Sequence, residues 1–391
     1  MQAADFTKDA PGRLVKTVQG HEAFLPDPLP PKRRIGEGVE EEFASVLSAA
    51  NLALGKLSGI AQTLANPHLL IRPYVRREAV LSSRIEGTRA DLFDLYLFEA
   101  DPASAAEQSD IQEVHNYVSA LEYGLSQLAV RPLGLALLLE MQQLLLKSAP
   151  RSDDPTPGLF RDRQVFIGRS NLIEHATFVP PPPELLRDCL EPFERYLQEP
   201  STLPPLVRLA LIHYQFETIH PFNDGNGRLG RLLITLMLCV DGLLPHPLLY
   251  LSAYLEAHRQ EYFRHLLHVS QRAAWTDWVI FFLTGVKESA SDAVERSDRL
   301  VALREDYRQR VARSGSSARL LELIDQLFST PALTAQTAAA AMNVGPRQGL
   351  NQIKKLMDLG IVREATGKRR NRIFVASGIV TAVDEHSRKL R

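Results

Sequence analysis

Two apolar helical patterns meet at a segment that can continue neither of them: His220-Pro221-Phe222-Asn223-Asp224-Gly225-Asn226-Gly227-Arg228-Leu229-Gly230-Arg231. Upstream, Leu206, Leu209, Ile212 and Phe216 recur at helical spacing and predict a helix over Leu206–Thr218. Downstream, a helix is predicted from about Arg228 to Val240, stopped by Gly242 and Pro245. The segment therefore has to fold as a tight corner between two helices. Gly225 and Gly227, on either side of Asn226, permit positive φ, so successive amides can converge into an anion-binding concavity at a helix start. Arg228 and Arg231 are three residues apart and project from the same first turn. Asp224 adds a hard oxygen of the kind Mg²⁺ takes, and His220 a side chain suited to proton abstraction near neutral pH. Gly-Asn-Gly alone would read as an ordinary helix corner. A base, an acid, an anion nest and two arginines together read as a site for a polyphosphate.

The remaining chain predicts an all-α protein with one small β insertion. Helical patterns cover Val39 to about Ala100, Ile111–Leu128, Leu133–Leu146, Glu184–Leu197, Tyr254–Ala274 and Trp275–Val286, with Trp275 and Trp278 as packing residues. The first ~35 residues, with Pro26, Pro28, Pro30 and Pro31, read as an extended lead-in. Gln164–Ile167 and Ala176–Val179 are β-prone and bracketed by proline and glycine, which predicts a hairpin. Arg304–Ser317 reads as a connector. Beyond it come three helices, Ala318–Phe328, Thr334–Met342 and Pro346–Leu359, then β-prone Ile361–Glu364 and Arg372–Val375 around a basic loop. That is the order of a winged helix-turn-helix. The division expected is 1–105 (N-terminal helical region), 106–300 (core), 301–317 (connector) and 318–391 (winged helix-turn-helix).

Lys and Arg total 45 against 46 Asp and Glu, which argues against a uniformly basic nucleic-acid binder and against an acidic disordered tail. The two cysteines, Cys189 and Cys239, have no metal or redox spacing, and a cytoplasmic protein is the economical expectation. Met1 to Gly20 lacks a signal pattern, and the apolar runs Leu133–Leu146 and Leu232–Leu251 are too interrupted to span a bilayer, so no membrane partner is expected.

The motif at 220–231 resembles that of the Fic (Fic/Doc) family, H-x-F-x-(D/E)-G-N-G-R-x-x-R, at every specified position. The resemblance implies a mostly helical Fic fold with a β-hairpin flap, and transfer of AMP from ATP to a Ser, Thr or Tyr hydroxyl of a target protein. His220 would be the base and Asp224 the Mg²⁺ ligand. Gly225, Asn226 and Gly227 would cradle the phosphates, with Arg228 and Arg231 at the pyrophosphate end. Ser82-Ser83-Arg84-Ile85-Glu86-Gly87 is similar to the inhibitory motif (S/T)-x-x-x-E-(G/N) of part of the family. Ser82 and Glu86 share a helix face, so Glu86 could pair with Arg231 where a γ-phosphate would lie. Gly158-Leu159-Phe160-Arg161 and Val165-Phe166-Ile167 resemble the family's flap, which aligns a target segment by strand addition. Tyr250–Tyr262 resembles the segment that encloses adenine, with Tyr262 the candidate contact and a core role the alternative.

Two other functions stay open. One is removal of AMP from a modified protein at the same site, with Glu86 positioning a water. The other is a DNA-binding transcription regulator in which the site senses nucleotide. The latter rests on Arg347, Lys354, Lys355, Arg363, Lys368, Arg369, Arg370 and Arg372, a basic excess in the C-terminal unit. Arg347, Gln348, Asn351 and Gln352 would be available to base edges. The same unit could instead contact protein, and apolar helical surfaces make a homodimer a candidate.

Overall fold

The two helices flanking the glycine-rich corner lie at the centre of the molecule, which a computed structural model describes over residues 1–63, 68–102, 108–149, 154, 156–168, 171–314 and 318–384. In chain order they are α7 (Pro205–Ile219) and α8 (Asn226–Val240), and nearly every side chain of both is buried. Helices apolar on all sides need neighbours on all sides. Those neighbours are α2 (His68–Ile85), α4 (Gln108–Gln127), α5 (Leu135–Leu145), α6 (Leu186–Gln198), α10 (Arg259–Arg272) and α11 (Trp275–Arg313). Trp278 of α11 is fully buried, and its indole N–H donates to the Ala210 carbonyl of α7 at 2.9 Å. Further helices, α1 (Glu40–Thr63), α3 (Leu92–Ala100) and α9 (Ser252–Ala257), complete this layer. By length and composition α1 is apolar enough to cross a membrane, but it lies along α11, with Ala50, Leu54, Leu57 and Ala61 in the main core.

Three segments differ from the sequence expectation. Residues 12–26, expected as part of an extended lead-in, form an antiparallel hairpin of β1 (Gly12–Lys16) and β2 (Glu22–Pro26). The prolines begin only where β2 ends, and Ala23, Phe24 and Leu25 bury against the body of the protein. Among the described residues the predicted flap hairpin reduces to one antiparallel bridge, Ile167 to Phe178. Its backbone groups are taken elsewhere. Gln164 donates its side-chain amide to the carbonyls of Val165 and Pro180, and Val179 accepts from Phe24 of β2. The expected connector 301–317 is helical through Arg313, because Leu300, Tyr307 and Val311 form a buried stripe. Arg304 and Arg308 also reach Asp325 on the next helix. The end of that expected connector, 315–317, lies outside the described residues.

The C-terminal unit comprises α12 (Ala318–Ser329), β3 (Ala332–Leu333), α13 (Ala335–Ala341), α14 (Pro346–Asp358), β4 (Arg363–Glu364), β5 (Phe374–Val375) and α15 (Ser377–Val383). The short strands form an antiparallel sheet in the order β3-β5-β4; β3 and α15 are additions to the sequence expectation. Thr334 caps α13 through a reciprocal bond with Thr337. The unit is not suspended from the core: α12 and α15 pack on α2, and Arg296 of α11 donates to the Val383 carbonyl at 2.7 Å.

α13 and α14 cross at Gly349, where a Cβ would stand 2.6 Å from the Ala335 carbonyl and 2.9 Å from the Ala339 nitrogen. Both obstacles are backbone, so neither can rotate aside. Gly349→Ala is expected to lower stability by about 1–3 kcal/mol, read as a lower denaturation midpoint for the C-terminal unit. An unchanged midpoint would show that the helices can separate freely.

Candidate active site

α7 ends at His220, which takes a left-handed conformation (φ 50°, ψ 62°), and α8 starts behind Gly225 (φ 83°). The loop between them is closed by Asn226. Its side chain accepts from the Phe222 N–H at 2.9 Å and donates to the Phe222 carbonyl at 2.8 Å. The Asn226 amide is therefore turned into the protein and buried, so it shapes the loop from within. Gln142 of α5 donates to the Asp224 carbonyl at 3.1 Å from below.

The loop opens on a cavity of about 880 Å³. Glu86, Glu217, His220, Asp224, Gly225–Arg228 and Arg231 line one part, and Phe166 to Gly168, Arg259, Tyr262 and Phe263 another. His220 Nδ1 lies 3.2 Å from the Glu217 carbonyl. Burial, with Arg161 nearby, pushes the imidazole down to about 4, so it is neutral at pH 7. With Nδ1–H donated to that carbonyl, Nε2 carries the free lone pair.

Each arginine of the motif is buried and holds a carboxylate. Arg228 reaches Glu113 of α4 at 3.1 Å and Asp224 at 3.2 Å. Arg231 donates to Ser82 Oγ at 2.8 Å, to the Ser82 carbonyl at 3.0 Å and to Glu86 Oε1 at 2.7 Å. The last turn of α2, with Glu86 just beyond it, thus reaches Arg231 in the second turn of α8, bringing Ser82 and Glu86 together with the motif. Gly87, at φ 100°, turns the chain away immediately afterwards. Burial opposes ionisation of Glu86, but Arg231 outweighs it, and the carboxyl sits below its usual range. The fit depends on Gly227, where a Cβ would stand 2.3 Å from Glu86 Oε1.

Tyr262 is buried, with its hydroxyl 2.8 Å from His213 Nε2. It borders the cavity as part of a packed network, whereas its neighbour Phe263 is exposed. Val165, Phe166 and Ile167 are half-exposed, and the latter two border the cavity. Asp224 is partly exposed beside the anion loop; one carboxylate and an open cavity suit Mg²⁺, which keeps waters and substrate phosphates as its other ligands. Among the described residues there is no cluster of three or more His, Cys, Asp or Glu that would hold a metal by protein alone.

Sequence reasoning missed Glu113 and Glu217, and it placed Arg161 on the flap. Glu113 is distant in sequence, with no motif to mark it. Glu217 could have been noticed as the acid one turn before His220. Arg161 is buried beneath the His220 loop.

Two central helices thus frame a glycine-rich loop that carries a buried imidazole and an acid, closed by the carboxylate of Glu86 just past the end of a third helix. Residues 44–126 match the Fic/DOC family N-terminal model and residues 132–238 the Fic/DOC family model. Over these residues the chain is similar to the Fic/DOC family. It is 36% identical over 110 residues to protein adenylyltransferase fic-1 of Caenorhabditis elegans, covering 28% of this chain and 20% of that protein. It is 42% identical over 90 residues to protein adenylyltransferase Fic of Drosophila yakuba, covering 22% of this chain and 17% of that protein. The chain therefore spans about a fifth of the length of these relatives. A Fic family protein from Desulfovibrio desulfuricans G20 has a similar fold, with TM-score 0.55 and 20% identity over 88% of this chain and 98% of that one.

Burial raises Glu217 to about 7, Arg231 partly offsetting it and Glu86 adding to it. A carboxyl held above its unfolded value contributes most below about pH 4.5, and that contribution is lost as pH rises through 7. Glu217→Gln, a mimic of the neutral acid, is expected to be more stable than the parent at pH 8 and equal to it near pH 4. Denaturation at the two pH values checks this; equal differences at both would contradict it.

Proposed function

We propose that this protein is a protein adenylyltransferase that moves AMP from ATP to a Ser, Thr or Tyr hydroxyl of a target protein, restrained by Glu86. The observation that carries the reading is His220 at the exit of α7, beside a glycine-rich loop whose two arginines are both buried in ion pairs. Nε2 of His220 takes the hydroxyl proton as the oxygen attacks the α-phosphorus. A new P–O bond forms, and the bond to pyrophosphate breaks. Loop amides and the guanidinium groups of Arg228 and Arg231 stabilise the charge that builds on the phosphates. Asp224 would hold Mg²⁺, which when bound neutralises phosphate charge. The flap residues Val165, Phe166 and Ile167 would align the target strand. The relatives named as adenylyltransferases support this assignment.

Glu86 occupies an Arg231 donor that a terminal phosphate needs, so ATP would meet a site already neutralised. Glu86→Gly is expected to raise AMP transfer about 5–150-fold, and His220→Ala in that background to lower it about 10²–10⁴-fold. Labelled ATP with detection of protein-bound AMP measures both. No transfer by Glu86→Gly would overturn the reading. AMP release from a modified protein that is abolished in Glu86→Gly would establish the reverse reaction instead.

A second reading concerns the C-terminal unit, taken as a winged helix-turn-helix that binds duplex DNA. It is supported by α14, which buries Gly349, Ile353 and Leu356 and exposes Arg347, Gln348, Asn351, Lys354 and Lys355, with Arg369 and Arg370 exposed between β4 and β5. Binding should weaken with salt, and Lys354→Ala with Lys355→Ala should flatten the log–log slope by about 2. No binding at ~50 mM salt would overturn this second reading.

A further inference from the structure

Arg161 is a buried cation with an unusual set of partners. Its guanidinium donates to the carbonyls of His220 (2.8 Å), Pro181 (2.6 Å), Ile219 (3.4 Å) and Arg163 (3.3 Å). Its own backbone N–H donates to the Pro221 carbonyl at 3.0 Å. Among the described residues no carboxylate bonds to it, and burial pushes it down to about 10, so it is charged at neutral pH. The preceding Phe160 packs on Phe222 of the motif loop, ring centroids 5.6 Å apart.

These partners fall into two groups. Ile219, His220 and Pro221 form the left-handed exit from α7 that carries the imidazole. Arg163 and Pro181 are the two stems of the flap segment bridged at Ile167 and Phe178. One planar fork therefore holds the base loop and both ends of the flap. A lysine has the charge but not the fork, and could not serve both groups at once.

We propose that Arg161 is a positioning residue that sets the distance between His220 and the flap, and so between the base and a hydroxyl presented on the flap. The inference rests on the adenylyltransferase reading. The anion loop 224–228 and Arg231 are held separately, by Asn226, Glu113 and Ser82. Nucleotide binding should consequently survive the loss of Arg161 while turnover does not.

The test uses the full chain carrying Glu86→Gly, alone and with Arg161→Lys or Arg161→Gln. Lysine keeps the buried charge and glutamine keeps a planar donor, so a folded variant is available if one fails. Expected are a kcat for AMP transfer lowered by about 10–100-fold and a KM for ATP within about twofold. In parallel, imidazole ¹⁵N shifts of His220 at pH 7.5 report its tautomer without any turnover. A single Nδ1–H form should give way to a mixture in the Arg161 variants. Unchanged kcat and an unchanged tautomer pattern in a folded variant would overturn the proposal, as would equal losses in kcat and ATP affinity. If Glu86→Gly itself transfers no AMP, the functional reading fails, and the His220 spectrum still decides whether Arg161 holds the loop.

Discussion

The buried guanidinium of Arg231 is the group around which the site is arranged. It sits on α8 with almost no solvent access, so its charge has to be met by the protein or by a ligand. Ser82 meets it from α2 and Glu86 from just past the end of that helix, while Tyr262 stands beside it and shares its own hydroxyl with His213. Burial disfavours the charge, but Glu86 restores it, so Arg231 stays firmly protonated. A site that must bind a polyphosphate at this arginine, and must not leave it unpaired otherwise, needs an exchangeable anion. Glu86 fits that need because its side chain is 40% exposed while that of Arg231 is 2% exposed.

That asymmetry also marks the contact that costs least to break. The body of α2 is fixed on several sides. Glu78, buried and raised by burial, accepts from Ser252 Oγ at 2.5 Å and from Tyr117 at 3.2 Å. Tyr74 donates to the Ala293 carbonyl at 2.9 Å, and Arg77 pairs with Asp292 at 3.3 Å. Displacing the helix would break all of these, with buried polar groups left unsatisfied. Rotating Glu86 alone breaks one partly exposed pair. Under the proposed function, exchange of a phosphate for this one side chain just past the end of a fixed helix is therefore the lower-energy route.

The sequence is informative where chemistry is local. His220 to Arg231 lie within one loop and one helical turn, and glycine, asparagine and arginine have few other reasons to occur in that order. Ser82 and Glu86 are legible only because a second motif identifies their partner, 149 residues from Ser82. The helices are readable from periodicity, and their ends from proline and glycine. What stays hidden depends on tertiary placement. Asn226 reads as part of a phosphate cradle, and only the fold shows its side-chain amide bonded to Phe222. Tyr262 reads as either an adenine contact or a core residue, and only the fold shows its hydroxyl bonded to His213 at the cavity border. The polar run after Arg304 reads as a linker because its apolar positions, Tyr307 and Val311, are sparse; only α12 shows what they face.

The hairpin at the N-terminal end shows the same limit from the opposite direction. Ala23, Phe24 and Leu25 carry too little pattern to predict a strand unless its neighbour is known. In the fold, Phe24 donates to Val179 at 2.9 Å, and Ala23 packs with Ala176 and Val179. This strand supports the flap segment from one side while Arg161 ties its stems to the His220 loop. A segment with a single bridge among its described residues is thereby held from outside, by the start of the chain, by Arg161 beneath the His220 loop and by the bond from Arg163 to Asn223. Flap order is then a property of tertiary packing rather than of β-propensity, which is why the short β-prone pieces are visible in the sequence and the means of holding them is not.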